Sequence, residues 1–73
     1  MPEIKVMTEV AGRVCALPAE IGGSISTGDD VAVIEAMKME IPVPSPATGT
    51  LTTLLVKLDD LVAEGQVVAI VTD

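Results

Sequence analysis

The sequence predicts an all-β domain: a small flattened barrel or sandwich of two four-stranded antiparallel sheets related by a pseudo-twofold axis. Three observations predict it. The first is an internal repeat, the signal that governs a fold reading when present. A gapless shift of 37 positions pairs Ile4 with Ile41, Val6 with Val43, Gly12 with Gly49, Val14 with Leu51, Leu17 with Leu54 and Ile21 with Leu58. It goes on to pair Ile25 with Val62, Gly28 with Gly65, Val31 with Val68, Ala32 with Ala69, Val33 with Ile70 and Ile34 with Val71. The second is the succession of short β-branched or Leu-rich runs between turn signals, which reads as strands. The third is proline at 42, 44 and 46, which forbids helix there and suits only an extended edge or crossover, because each ring removes an N–H donor and fixes φ near -65°.

Each half has its own punctuation. The first turns at Ala11-Gly12, Ile21-Gly22-Gly23-Ser24 and Thr27-Gly28-Asp29-Asp30, and the second at Pro44 to Gly49, Asp59-Asp60 and Glu64-Gly65-Gln66. Only Val31 to Glu40 competes for helix, since Ala, Met, Glu and Lys favour it and Val33, Met37 and Ile41 fall at i, i+4, i+8. The repeat decides for strand. The counterpart, Val68-Ala69-Ile70-Val71-Thr72, is β-branched and extended, so Val31-Ala32-Val33-Ile34 is extended too. Glu35 to Glu40 must then reverse the chain, with a hairpin tip near Met37-Lys38 and the chain termini at the other end. Acidic turns blunt the sheet edges against aggregation.

Composition narrows the function. With 73 residues there is room for one domain, 1-73, burying only about 60% of its unfolded surface. A net charge of -7 and the absence of aromatic residues argue against nucleic acid and anionic lipid as partners and remove base stacking. The sequence has no His and one cysteine, Cys15, so a His-dependent triad, a Cys-His pair and an intrachain disulfide are excluded. Cys15, within Val14-Cys15-Ala16-Leu17, reads as an inert strand residue. No charged-then-apolar leader opens the chain and no run reaches the roughly 20 apolar residues of a membrane span. A soluble, cytoplasmic protein is expected.

One segment carries chemistry. Of three lysines, Lys5 and Lys57 stand among expected strand residues, whereas Lys38 sits at the expected tip in Glu35-Ala36-Met37-Lys38-Met39-Glu40. Methionines on both sides of an exposed ammonium suit a recognition surface, because soft apolar side chains are costly to expose unless a partner covers them. On spacing alone, a solvent-facing lysine with both methionines folded into the core is the favoured reading.

Glu35-Ala36-Met37-Lys38-Met39 resembles the attachment motif of biotinyl (biotin carboxyl carrier) domains, members of the biotin/lipoyl attachment family. Gly22 through Ile34 is similar to the segment that precedes the motif in that family, with a second copy at Asp59 through Val71, and Pro46 to Leu51 resembles its Ala-Pro-x-x-Gly-x-Val segment. The likeness spans roughly residues 4 to 72. It implies a barrel-sandwich hybrid fold and a carrier with no catalytic residues. Lys38 would be biotinylated by an ATP-dependent biotin protein ligase, with Met37 and Met39 read by ligase and partner active sites and Glu35 and Ala36 completing the motif. The implied role is a swinging arm: a biotin carboxylase loads CO2 from bicarbonate onto a biotin ring nitrogen, and a carboxyltransferase moves it to an acyl-CoA or a 2-oxo acid. Acetyl-CoA carboxylase and fatty acid biosynthesis are one such setting. The charge of Glu35 is expected to help exclude the wrong ligase.

Two departures from the family pattern fall on turns: Glu9-Val10-Ala11-Gly12 replaces Pro-x-x-Gly, and Asp59 replaces a frequent Gly. Asp tolerates left-handed backbone, so the second is mild. Gly12, Gly49, Gly28 and Gly65 are expected to serve turns that need permissive φ. A bare, thumbless domain is expected, because no extra segment interrupts Leu17 to Val31 and no Ala-Pro-rich linker precedes residue 1. Lipoyl domains share the fold but show Asp-Lys-Ala at the tip; an unmodified hairpin module and an independent enzyme are the remaining alternatives.

Overall fold

Alternation of apolar and polar residues turns the β-branched runs into eight strands, described here for residues 2–73 of a computed structural model. They are β1 (Glu3–Met7), β2 (Gly12–Ala16), β3 (Ser24–Ile25), β4 (Asp30–Ala36), β5 (Met39–Pro44), β6 (Gly49–Leu54), β7 (Leu61–Val62) and β8 (Val67–Thr72). Two four-stranded antiparallel sheets result, ordered β1-β8-β6-β3 and β5-β4-β2-β7. The segment Val31 to Ile34 is strand, as the repeat requires.

The 37-residue shift maps one sheet onto the other, β1 onto β5, β8 onto β4, β6 onto β2 and β3 onto β7. Register irregularities repeat as well: the bulge between Val14 and Ala16 in β2 recurs between Leu51 and Thr53 in β6. Each sheet therefore takes strands from both halves, so neither half has a sheet without the other.

The core repeats in the same way. Six pairs of counterparts fill it: Val6 and Val43, Val14 and Leu51, Ile25 and Val62, Val31 and Val68, Ala32 and Ala69, Ile34 and Val71; Val56 completes it. Burying each Val, Leu or Ile side chain contributes about 1.5–3 kcal/mol, and no aromatic ring is needed to fill a body of 36 × 19 × 19 Å. Two buried polar side chains are also counterparts. Thr8 Oγ1 donates to Val10 O at 2.8 Å and Ser45 Oγ to Ala47 O at 2.6 Å, so each closes its own turn without an unsatisfied hydroxyl.

Edge strands are protected as expected. β3 and β7 have two residues each, and Pro42 and Pro44 lie in β5 at the edge of its sheet. Three expectations need correction. Lys57 lies in the loop after β6 rather than in a strand, where its N–H donates to Asp60 Oδ2 at 2.9 Å. Gly12 and Gly49 are strand residues without positive φ. What requires glycine there is proximity: an added Cβ would collide with the backbone oxygens of Glu35 and Thr72 respectively. The reversal at the tip also needs only Met37 and Lys38, because β4 runs to Ala36 and β5 starts at Met39.

Candidate functional site

The β4–β5 hairpin has the longest run of register pairs in its sheet. Ile34 pairs with Ile41, Glu35 with Glu40 and Ala36 with Met39, leaving a two-residue loop of Met37 at φ 51° and Lys38 at φ 66°. Two consecutive positive φ angles are the signature of a type I′ turn, whose twist matches that of the flanking strands. Such turns normally use Asn-Gly; a side-chain-bearing residue in left-handed backbone costs roughly 1–2 kcal/mol. Strain of this kind persists where the side chains are wanted for something other than stability.

Those side chains project outward. Met37 is 95% exposed and Met39 64% exposed, so the methionines are not core plugs. Lys38 is exposed, and among the described residues it makes no ion pair. Ala36 is half-buried beneath the turn. The hairpin thus presents an unpaired primary amine between two soft apolar side chains, a unit that can be acylated and gripped. Among the described residues no cluster of His, Cys, Asp or Glu suits a metal ion. An open groove between β1 and β5 is lined by Met7, Val10, Ile41, Pro42 and Pro44, and no residue of the turn lines it.

The sequence-predicted residues Glu35, Ala36, Met37, Lys38 and Met39 are brought together on this one hairpin. Lys5 sits on β1 and Lys57 in the loop after β6, outside it. Glu35 differs from its expectation in one respect: its charge is not free. Arg13 on β2 donates from Nη2 to Glu35 Oε1 at 3.1 Å and from Nη1 to Asp59 Oδ1. These hydrogen bonds, Glu35 first and Asp59 second, raise the guanidinium pKa further above its already high value, so Arg13 stays charged throughout the working pH range. Sequence reasoning missed Arg13. The one available signal was that it is the only arginine in the chain.

Cys15 lies on β2, half-buried, with Sγ 3.4 Å from Val33 O. That is the strand position expected of it. Asp59 adopts φ 74° at the counterpart of Gly22, which has φ 90°, so the Asp-for-Gly departure preserves the turn.

The family described as "Biotin-requiring enzyme" matches residues 1–71. A biotin/lipoyl attachment protein of Bacillus subtilis is 36% identical over 62 residues, 85% of each chain. A protein of Mycobacterium leprae named as a homolog of biotinylated protein TB7.3 is 30% identical over 67 residues, 92% of this chain and 94% of that one. Among solved structures, the urea carboxylase of Kluyveromyces lactis superposes with a TM-score of 0.93 at 32% identity, over 99% of this chain and 6% of that one. Two further curated relatives are also far longer, this chain spanning 16% and 4% of them. The exposed, unpaired amine of Lys38 on a protruding two-residue turn fits a covalently held group. The chain belongs to the biotin/lipoyl attachment family, a family of carrier domains, and covalently held biotin fits its hairpin.

Proposed function

We propose that Lys38 is the attachment residue and that residues 1–73 form a single biotin carboxyl carrier domain of a biotin-dependent carboxylase. The observation that carries the proposal is the placement of Lys38, exposed and unpaired, on a strained two-residue turn between the outward-facing Met37 and Met39. In the acylation, a biotin protein ligase joins the biotin carboxyl group to the AMP part of ATP with release of pyrophosphate; Lys38 Nζ, having given up a proton, attacks the activated carbonyl carbon, the acyl–phosphate bond breaks, AMP leaves, and an amide replaces the ammonium. Met37 and Met39 give the ligase and the later active sites an adaptable apolar grip. Ala36, half-buried under the turn, leaves the strand ends close enough for two residues to close the loop.

Bound biotin supplies a ring nitrogen that takes up CO2 and gives it to an acceptor. The domain itself tethers. A reactive group on a short arm is confined to a small volume, which raises its effective concentration at each site it visits. The partners on this reading are the ligase, a biotin carboxylase and a carboxyltransferase, and the acceptor is an acyl-CoA or a 2-oxo acid. Acetyl-CoA carboxylase in fatty acid biosynthesis, in the cytoplasm, is one setting that meets these requirements. The likeness to urea carboxylase supports the carboxylase class of partner.

A second reading, lipoyl attachment at the same lysine, draws on the name of the Bacillus subtilis relative, which includes both groups. The turn sequence Met37-Lys38-Met39 favours biotin. Intact mass and peptide mapping after incubation with biotin ligase, ATP and biotin separate the two. One biotinyl group on the Lys38 peptide is expected; an unmodified chain, under conditions that label a control domain, sinks the biotin reading.

A further inference from the structure

The pseudo-twofold repeat supplies an internal control, because positions 37 apart occupy equivalent places in the two sheets. One row of register partners crosses the hairpin sheet just below the turn: Glu40 on β5, Glu35 on β4, Arg13 on β2 and Leu61 on β7. Its counterpart in the other sheet is Glu3, Thr72, Thr50 and Ser24. The third member of the ion cluster, Asp59, has Gly22 as its counterpart, and both have positive φ. The cluster Glu35–Arg13–Asp59 therefore corresponds to Thr72, Thr50 and Gly22. The same backbone frame stands without any of the three charges.

Stability does not account for the difference. The side chains of Arg13, Glu35 and Asp59 are 40%, 45% and 78% exposed, and ion pairs that wet add little to folding. Position does account for it. Glu35 and Glu40 are direct cross-strand partners one step below the turn, with Cβ atoms about 4.5–5.5 Å apart by strand geometry, and like charges so placed repel. Arg13 stands on the opposite side of Glu35 and draws its carboxylate towards β2, away from Glu40. Asp59, on the loop before β7, holds the other arm of the guanidinium and fixes where that pull is directed.

We infer that Arg13 is a positioning residue for the acylation of Lys38: by holding Glu35 off Glu40 it keeps the base of the hairpin closed, and Met37 and Lys38 in one presentation to the ligase. This inference rests on the reading of Lys38 as the attachment residue. It assigns Arg13 no contact with the incoming group.

The test uses the whole chain as the varied substrate of a biotin ligase, with ATP and biotin, followed by intact mass. Arg13→Thr installs the counterpart residue, Thr50, and should leave the unfolding midpoint within about 4 °C of the parent. It should lower kcat/KM for acylation by about three- to ten-fold, chiefly through KM. Arg13→Lys should recover part of the loss. The decisive arm is Glu40→Gln: with one of the facing charges gone the clamp is unnecessary, so Arg13→Thr in that background should stay within about two-fold of Glu40→Gln alone. An Arg13→Thr rate within two-fold of the parent overturns the inference. So does an equal loss in both backgrounds, which would mean that Arg13 touches the ligase itself. Tryptic cleavage after Lys38 in the native chain reads hairpin opening without any ligase; it should accelerate about three- to ten-fold in Arg13→Thr and return to the parent rate with Glu40→Gln. If the parent is not biotinylated at Lys38, the functional reading fails, and the cleavage rates alone still uphold or overturn the role of Arg13 in closing the hairpin.

Discussion

The two sheets share strand order, bulges and core residues, yet differ at one corresponding place. In one sheet the pair Ala36 and Met39 is joined by a two-residue turn carrying Lys38. In the other, Asp73 and Pro2 hold the same place, linked by a hydrogen bond from Asp73 N–H to Pro2 O at 3.1 Å. Among the described residues the strand frame is thus duplicated, while the two-residue left-handed turn of Met37 and Lys38 and the ion cluster occur once. The difference separates what folds the chain from what it is used for. Core residues agree across the repeat, whereas the ion cluster Glu35–Arg13–Asp59 does not.

The hairpin side of that comparison is tested by the largest effect. Lys38→Arg keeps the charge and the exposed position but cannot form the same amide. Biotinylation measured by intact mass should fall to nothing, while circular dichroism and the unfolding midpoint stay as in the parent. Label that persists and maps to Lys5 or Lys57 would remove the hairpin's claim to the function.

The duplicated frame is tested by core truncation. Leu51 and Val14 are fully buried counterparts, so each should report on the same core. Leu51→Ala should cost about 2–5 kcal/mol in urea unfolding, a large part of the about 4–11 kcal/mol expected for a domain of this size. Val14→Ala removes one methylene less and should fall short of that by about 1 kcal/mol. A Val14→Ala variant that costs much more than Leu51→Ala would show that the halves do not share the load.

The same division explains what could be read from sequence. Strands, repeat, edge prolines and hairpin were legible because they depend on local alternation and on turn chemistry within a few residues. Legible too was the candidate motif around Lys38, which lies within five consecutive positions. Arg13 was not, since its partners are 22 and 46 residues away and meet only when β2 pairs with β4 and the loop before β7 folds over. Gly12 and Gly49 were assigned to turns because close approach to a neighbouring strand leaves no mark in the sequence that differs from a turn glycine. The direction of Met37 and Met39 was ambiguous for a related reason. Spacing alone fits both a core plug and an exposed pair, and the two-residue turn decides.

A smaller effect sharpens the claim that the turn sacrifices stability for its side chains. Replacing Met37 by Asn and Lys38 by Gly supplies the residues a type I′ turn prefers. The double variant should gain about 1–2 kcal/mol in stability, from the relief of left-handed strain, and lose biotinylation altogether. Thermal unfolding and intact mass measure the two sides. If stability falls instead, the positive φ angles carry no strain and the turn is not set apart from the rest of the frame.

The smallest effect concerns charge. Amide formation at Lys38 removes one formal positive charge and makes a formal net charge of -7 more negative by one. The biotinylated chain should therefore run slightly faster than the unmodified chain on a native gel at neutral pH, and Lys38→Arg treated with ligase should show one band at the slower position. Equal mobility of two forms proved distinct by mass would mean that Lys38 already had its charge compensated, against its lack of an ion pair here. The shift also bears on the comparison of the two sheets. Once Lys38 is acylated, the cation that remains in the row below the turn, Arg13, is engaged with Glu35 and Asp59. A loaded tip then presents apolar methionines and the free carboxylate of Glu40 instead of an amine, so partners that prefer the loaded form have a local change of charge by which to tell it from the empty one.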